Sequence, residues 1–273
     1  MIDDIKDYLK DIPENQRLNH LREYLQLVIL KVISDSGYKK NITFTGGTAL
    51  RITQKINRFS EDLDFSLTDK KAYNFEKLLE SINRGLNKYG FDFTFGKSKD
   101  TTVNSAFIKF NDLLYPLHLS FQKGQKLSVK LDVDTNPPKG ADIKEFIYSD
   151  RFYFLINYFT LESLFALKLH ALLYRVYIKG RDYYDLMFFL NKKIVPKFDL
   201  FKNAVKQTDP RDTYQNSKEV FSKLENRIKK MDEKKIKNDL RPFILKPEEL
   251  NMITKKNLLL FWEQYKEAIG DKI

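Results

Sequence analysis

The chain has 273 residues, a formal net charge of +11, no cysteine and three histidines. That length accommodates one large domain or two small ones, and the lack of cysteine excludes disulfides, zinc–thiolate sites and cysteine nucleophiles. No apolar run reaches the roughly 18–20 residues needed to cross a bilayer, and the opening MIDDIKDYLKDIPENQ lacks the apolar segment of a secretory signal, so a soluble cytoplasmic protein with no membrane partner is expected.

The positive excess favours polyanionic partners through counterion release and steering. A lysine-rich proteome encoded by an AT-rich genome would give the same excess. Basic residues are densest between Lys192 and Lys256, with Lys229-Lys230 and Lys234-Lys235 as pairs.

Residues 16–36 carry Leu18, Leu21, Leu25, Val28, Ile29, Val32 and Ile33 at helical spacing, and Gly37 ends that helix. A short strand, Ile42–Thr45, runs into Gly46-Gly47-Thr48, and Thr48–Thr53 reads as a brief helix. Leu63, Phe65 and Leu67 then alternate with Asp62, Asp64 and Ser66, the pattern of a half-buried strand. A helix is expected over 71–89, closed by Gly90, and strands over 91–96, 104–111, 115–121 and 126–134. Asn136-Pro137-Pro138-Lys139-Gly140 breaks the chain. Helices follow over 161–177, 181–190, 199–207, 215–230 and 247–269. The fold class is therefore α+β, with an N-terminal mixed-sheet core over 1–155 and a helical domain over 156–273.

Four elements carry chemistry. Glycines at 46 and 47 permit close approach of backbone to a ligand, and a helix starting just after them would aim N–H groups at an anion. Thr48 could cap that helix or bond a phosphate. A plain tight turn reads the same way. Asp62 and Asp64 share one strand face, where two like charges repel unless a cation lies between them. Magnesium favours such hard oxygen ligands and keeps company with phosphates, although Asp-x-Asp is also common on solvated strands. Val129, Leu131 and Val133 face away from Lys130, Asp132 and Asp134, which offers Asp132 as a third metal ligand or general base, with Asp134 as the alternative. Lys168 and Arg175 lie two helical turns apart, and Lys168 sits in apolar company from which it could reach triphosphate oxygens. Asp182 is one turn from Asp185, which could pair with Arg181; this group could equally be a structural salt-bridge cluster. Arg58 and Ser60, just before the paired aspartates, are further candidates for phosphate contact, as is Arg51. His20, His118 and His170 are too scattered for a metal site.

The ordered set Gly46-Gly47-Thr48-Ala49-Leu50, Arg58-Phe59-Ser60-Glu61-Asp62-Leu63-Asp64-Phe65, Asp132, and Lys168 with Arg181-Asp182-x-x-Asp185-Leu186 resembles the AbiEii/AbiGii toxin family of nucleotidyltransferases, in the DNA polymerase β-like superfamily. The resemblance covers roughly residues 40–190. It implies a nucleotidyltransferase core with an appended helical domain, and transfer of a nucleoside monophosphate from an NTP with release of pyrophosphate. Two Mg²⁺ ions would assist. By this resemblance Gly46, Gly47 and Thr48 cradle phosphate, Asp62, Asp64 and Asp132 bind metal, Lys168 holds the triphosphate, and Asp182 completes the motif on the helical side. The superfamily's usual Gly-Ser is Gly47-Thr48 here, which keeps the hydroxyl. Family members act in toxin–antitoxin and phage-defence systems, and some modify the acceptor end of tRNA. The implied partners are therefore NTP, an RNA acceptor and a cognate antitoxin protein. A protein or small-molecule acceptor, or a catalytically inactive binding module, are the alternatives.

Overall fold

A computed structural model describes residues 2–71, 73–98 and 102–270. Two compact units make up the chain: Met1–Lys55, Phe59–Pro137 and Ile143–Tyr158 form one, and Ile56–Arg58, Pro138–Asp142 and Phe159–Ile273 form the other.

The first unit holds helices α1 (Ile2–Leu9), α2 (Glu14–Asp35), α3 (Gly46–Gln54) and α4 (Phe75–Lys88). Its strands are β1 (Ile42–Thr45), β2 (Asp62–Leu67), β3 (Phe93–Ser98), β4 (Val103–Phe110), β5 (Leu127–Asp134), β6 (Ile143–Ser149) and β7 (Tyr153–Phe159). They form one mixed sheet in the order β3-β4-β5-β2-β1-β7-β6. β2 runs antiparallel to β1 and parallel to β5, and β1 is parallel to β7. The mixed sheet flanked by helices is the expected fold class.

Strict alternation builds the sheet. In β5, Leu127, Val129, Leu131 and Val133 are buried while the intervening residues are partly exposed, so one face joins the core and the other stays polar. From Leu25 to Leu30 every residue of α2 is buried, so its apolar stripe widens to the full circumference, as expected of a helix enclosed on all sides. Leu18, at the rim of that stripe, stays 40% exposed. In α4, Asn74 accepts a hydrogen bond from Lys77 N–H at 3.0 Å and so caps the first turn, while Leu78, Leu79, Ile82 and Leu86 face the core.

Several elements depart from expectation. α4 starts at Phe75, not residue 71, and Ala72 lies outside the described residues. Residues 115–121 form turns, not a strand. Pro116 removes a ladder donor, Asp112 and His118 adopt positive φ, and Leu113, Leu114 and Leu117 are buried without strand pairing. α1, β6 and β7 went unforeseen. β6, an edge strand, pairs the exposed Ile147 with charged Lys144 and Glu145.

The second unit holds α5 (Leu161–Tyr174), α6 (Gly180–Asn191), α7 (Phe198–Thr208), α8 (Ser217–Lys229), α9 (Glu233–Leu240) and α10 (Lys255–Ile269). Phe165 and Phe189 stack with ring centroids 4.5 Å apart, and Trp262 donates its indole N–H to Glu225 at 3.1 Å. The helix expected over 247–269 divides in two. Pro247–Met252 is a 3-10 turn, and Thr254 caps α10 by accepting from Asn257 N–H. α5 stops at Tyr174 instead of residue 177, because Arg175 turns extended. α9 was also unforeseen. Among the described residues no helix is long and apolar enough to cross a membrane.

Gly180 sets how closely α6 and α9 pack. A β-carbon there would lie 2.2 Å from the Ile236 carbonyl oxygen and 3.1 Å from Leu240 N, both backbone atoms of α9. Gly180→Ala is expected to destabilise the protein by about 1–3 kcal/mol through overpacking. Alanine's helix-propensity advantage of about 1 kcal/mol at most is too small to reverse the sign. Urea denaturation at equilibrium measures the difference.

Candidate active site

The β1–α3–β2 segment of the first unit carries the paired aspartates. Gly46 has φ +75°, and a β-carbon on it would come within 2.1 Å of Asp64 Oδ2. The missing side chain therefore serves two ends: the left-handed backbone, and a carboxylate laid against the turn. α3 begins at Gly46, two residues earlier than expected, with Thr45 at the N-cap and no side-chain cap from it. Thr48 lies inside the first turn of α3 and is not its cap. It is fully buried, and its hydroxyl donates to the Asp62 carbonyl oxygen. That corrects the expected phosphate contact: the hydroxyl ties α3 to the strand carrying the aspartates. Gly47 is buried in the same turn.

Gln26 secures the approach to β2. It is 1% exposed, and its amide donates to the Ser60 carbonyl at 3.1 Å and the Glu61 carbonyl at 2.9 Å. The Ser60 backbone is thus a fixed point. Arg51 pairs with Glu23 at 2.6 Å and lies over the Phe59 ring, so its guanidinium is engaged within the unit.

Register brings the acids together. Asp64 is the cross-strand partner of Asp132, Asp62 of Lys130, and Ser66 of Asp134; Ser105 on β4 is the partner of Asp132. Asp62, Asp64 and Asp132 therefore share one face of adjacent strands. Ser105 Oγ donates to Asp132 Oδ1 and Lys130 Nζ to Asp132 Oδ2, each at 2.6 Å. Burial alone would lower the Lys130 pKa, yet the bond to Asp132 and the charges of Asp132, Asp62 and Asp64 raise it above the ordinary lysine value. One ammonium thus senses all three carboxylates. Asp134 lies one pair further along, accepts from Asn136 N–H at 2.9 Å, and is pushed up by burial. The geometry therefore favours Asp132 over Asp134. Among the described residues no three acidic or histidine side chains already surround one point closely enough to hold a metal ion. In this conformation Lys130 and Ser105 occupy Asp132.

The helical unit gathers a second charged group. Arg58 belongs to it, held by the Arg58–Ile244 bridge and by Leu245 N–H donating to the Asn57 carbonyl at 3.0 Å. Its guanidinium grips both oxygens of Asp185, at 2.6 and 2.7 Å, with side chains 1% and 0% exposed. Arg58 was expected to contact phosphate; the structure buries it on a carboxylate instead. Lys168 Nζ lies 2.8 Å from Asp185 and 3.4 Å from Asp182, and Arg175 pairs with Asp182. The two-turn spacing of Lys168 and Arg175 thus converges on one acid. Arg181 does not take Asp185; it lies 3.9 Å over the Phe243 ring. Burial would raise the Asp185 pKa, but Arg58 and Lys168 overcome it and hold the carboxyl below its ordinary value.

Gln26, Ser105 and Lys130 are the positions sequence reasoning missed. Gln26 carried a signal, as a polar residue inside an otherwise apolar stripe. Lys130 was legible as a cation two residues before Asp132 on the same strand face, whereas Ser105 becomes visible only through strand register.

A family model described as "Nucleotidyl transferase AbiEii toxin, Type IV TA system" matches residues 28–257, well beyond the motif-bearing stretch. The chain is similar to a candidate nucleotidyltransferase from H. pylori, with a TM-score of 0.55 and 19% identity over 90% of this chain and 96% of that one. It is also similar to JHP933 from Helicobacter pylori, with a TM-score of 0.54 and 19% identity over 92% and 94%. At that identity the two structures establish the fold. No curated protein matches the chain by sequence.

Arg58→Met should cost about 3 kcal/mol of unfolding free energy, the low end for breaking a buried ion pair, because Lys168 still reaches Asp185. Arg58→Lys should recover part of that loss, since a point charge cannot match both oxygens. Urea denaturation of both variants checks the order. The depressed Asp185 pKa also contributes stability above its unfolded value of about 3.9, which disappears as pH falls through the lower folded value. In Asp185→Asn that acid-dependent component should vanish from the pH–stability curve.

Proposed function

This chain belongs to the AbiEii nucleotidyl transferase toxin family of type IV toxin–antitoxin systems, and on that premise we propose that it transfers a nucleoside monophosphate from an NTP to a hydroxyl of RNA, with tRNA as the acceptor class. The observation that carries the chemistry is the register of β2 on β5, with Asp64 opposite Asp132 and Asp62 on the same face.

The donor set fits Mg²⁺: three hard-oxygen carboxylates on one face, with a pooled negative potential that raises the Lys130 pKa. Asp62, Asp64 and Asp132 would hold the ion, which when bound would neutralise phosphate charge and align the attacking and leaving oxygens. The acceptor hydroxyl attacks the α-phosphorus, a new P–O bond forms, and the bond to the β-phosphate breaks with pyrophosphate leaving. Asp132 is the base we assign to the hydroxyl proton. Gly46 keeps the backbone clear of Asp64, and Thr48 and Gln26 fix the start of the segment that carries the acids. Lys168, with Arg175, is the cation assigned to the triphosphate, and Asp182 orients both. The net charge of +11 supports a polyanionic acceptor. The family description implies an antitoxin that opposes the activity.

The test is incubation with each of four α-labelled NTPs, Mg²⁺, total tRNA and a separate protein pool. Label should enter tRNA, vanish with a chelator, and fall by about a hundredfold to a thousandfold in Asp62→Asn, Asp64→Asn or Asp132→Asn. Label confined to protein would overturn the RNA acceptor.

A further inference from the structure

The sheet face that carries the acids continues past Asp132 onto β4 and β3. In β4, Ala106, Ile108 and Phe110 are buried in the core, and alternation turns Ser105, Phe107 and Lys109 to the opposite side. Register sets Ser105 beside Asp132, Phe107 beside Lys130 and Lys109 beside Ser128. On β3, Gly96 is the partner of Phe107 and Thr94 of Lys109. Two contacts tie these residues to the acids: Ser105 donates to Asp132 at 2.6 Å, and Lys130 Nζ lies 5.8 Å from the centre of the Phe107 ring.

Phe107 is thus a partly exposed aromatic ring in a polar row. Lys130, held on Asp132, fixes its β5 side. On its β3 side Gly96 offers no side chain to cover it. A β-carbon there would lie 3.7 Å from the Phe107 β-carbon and 3.3 Å from Lys109 Nζ, so the Lys109 ammonium lies over Gly96, on the side of Phe107 away from Lys130. An open ring beside an ammonium is what a single nucleic-acid strand requires: the π-face takes a base and the cation takes its phosphate. A base inside a duplex has both faces stacked already, so only an unpaired one can use the ring.

Position decides which nucleotide this is. One strand over and one row along, Phe107 stands about 8 Å from Asp132 by strand spacing and rise, close enough to serve the nucleotide that reacts. In sheet order, β4 and the Gly46 turn after β1 lie on opposite sides of the acid-bearing β5 and β2. In-line transfer places the attacking and leaving oxygens on opposite sides of the phosphorus, so with phosphate on the Gly46 side the ring falls on the acceptor's side.

We propose that Phe107 stacks the base of the acceptor nucleotide, with Lys109 on its phosphate, so that the enzyme takes an unpaired RNA end in preference to a paired one. This rests on the RNA-acceptor reading above. The NTP also carries a base, so the experiment separates the two sources.

The experiment measures binding, without divalent metal, of two RNA hairpins to the 273-residue wild type, Phe107→Ala and Phe107→Trp. One hairpin has an unpaired 3′ overhang of a few nucleotides and the other is blunt. Each of the four NTPs is titrated in parallel, and thermal midpoints are recorded. Phe107→Ala should weaken overhang binding fivefold or more, the low end for one stacked base, with blunt-hairpin and NTP binding within twofold of wild type and an unchanged midpoint. Phe107→Trp should bind the overhang within threefold of wild type and lose indole emission on doing so; the other tryptophan, Trp262, is buried and 1% exposed. A loss below fivefold in Phe107→Ala would overturn the proposal, as would an equal loss for both hairpins or a loss confined to NTP. Should Phe107→Ala not fold, Phe107→Leu, which keeps the bulk and removes the ring, is read by the same criteria. If wild type labels tRNA while Phe107→Ala binds the overhang normally, the inference fails and the proposed reaction stands. If the overhang binds through Phe107 but wild type labels no RNA, the platform stands and the reaction fails. Wild type that binds neither hairpin overturns both.

Discussion

Three carboxylates held on one face of one sheet set the terms for everything around them. Neighbouring side chains on paired strands stand about 5 Å apart, and like charges at that distance repel by about 3 kcal/mol in surroundings of intermediate polarity. The sheet cannot relieve this by shifting register, because a slip of one residue would send Leu63, Phe65, Leu131 and Val133 to the polar side. The relief comes from Lys130 and Ser105 on Asp132. The acids are thus fixed by the apolar face behind them, and their repulsion is what a divalent cation would relieve.

The helical unit meets the opposite condition. Its buried acids, Asp182 and Asp185, are outnumbered by cations, and each acid is shared. Sharing makes these groups stiff. Asp185 cannot turn without abandoning Arg58, and Lys168 is braced by two carboxylates on successive turns of α6. A cation held this way changes position little when an anion arrives, so little reorganisation is spent on binding.

Alternation made the sheet legible in sequence: the Asp62–Leu67 and Leu127–Asp134 strands and their polar faces were readable from period-two patterning alone. The choice of Asp132 over Asp134 was not, because it depends on which β2 residue lies opposite, and a strand's sequence holds no register. Thr48 looked like a ligand contact because a hydroxyl after two glycines can serve a phosphate or a backbone carbonyl equally well. Arg58 misled for a related reason. Its partner Asp185 is 127 positions away, and nothing local marks an arginine as buried. The Ile143–Phe159 strands were overlooked although IKEFIYS and YFLINYF are rich in aromatic and β-branched residues. The apolar residues of 113–121 suggested a strand, but Pro116 outweighed them.

Position 46 admits no side chain without a cost at Asp64. A methyl group there would strain the positive-φ backbone by about 1–2 kcal/mol and would also meet the Asp64 β-carbon at 2.8 Å. The same methyl would overlap the Asp64 carboxylate and drive it from its place opposite Asp132. On the proposed role of Asp64, alanine at 46 would displace a metal ligand through the turn beside it, so glycine there is held by the reaction as well as by the backbone.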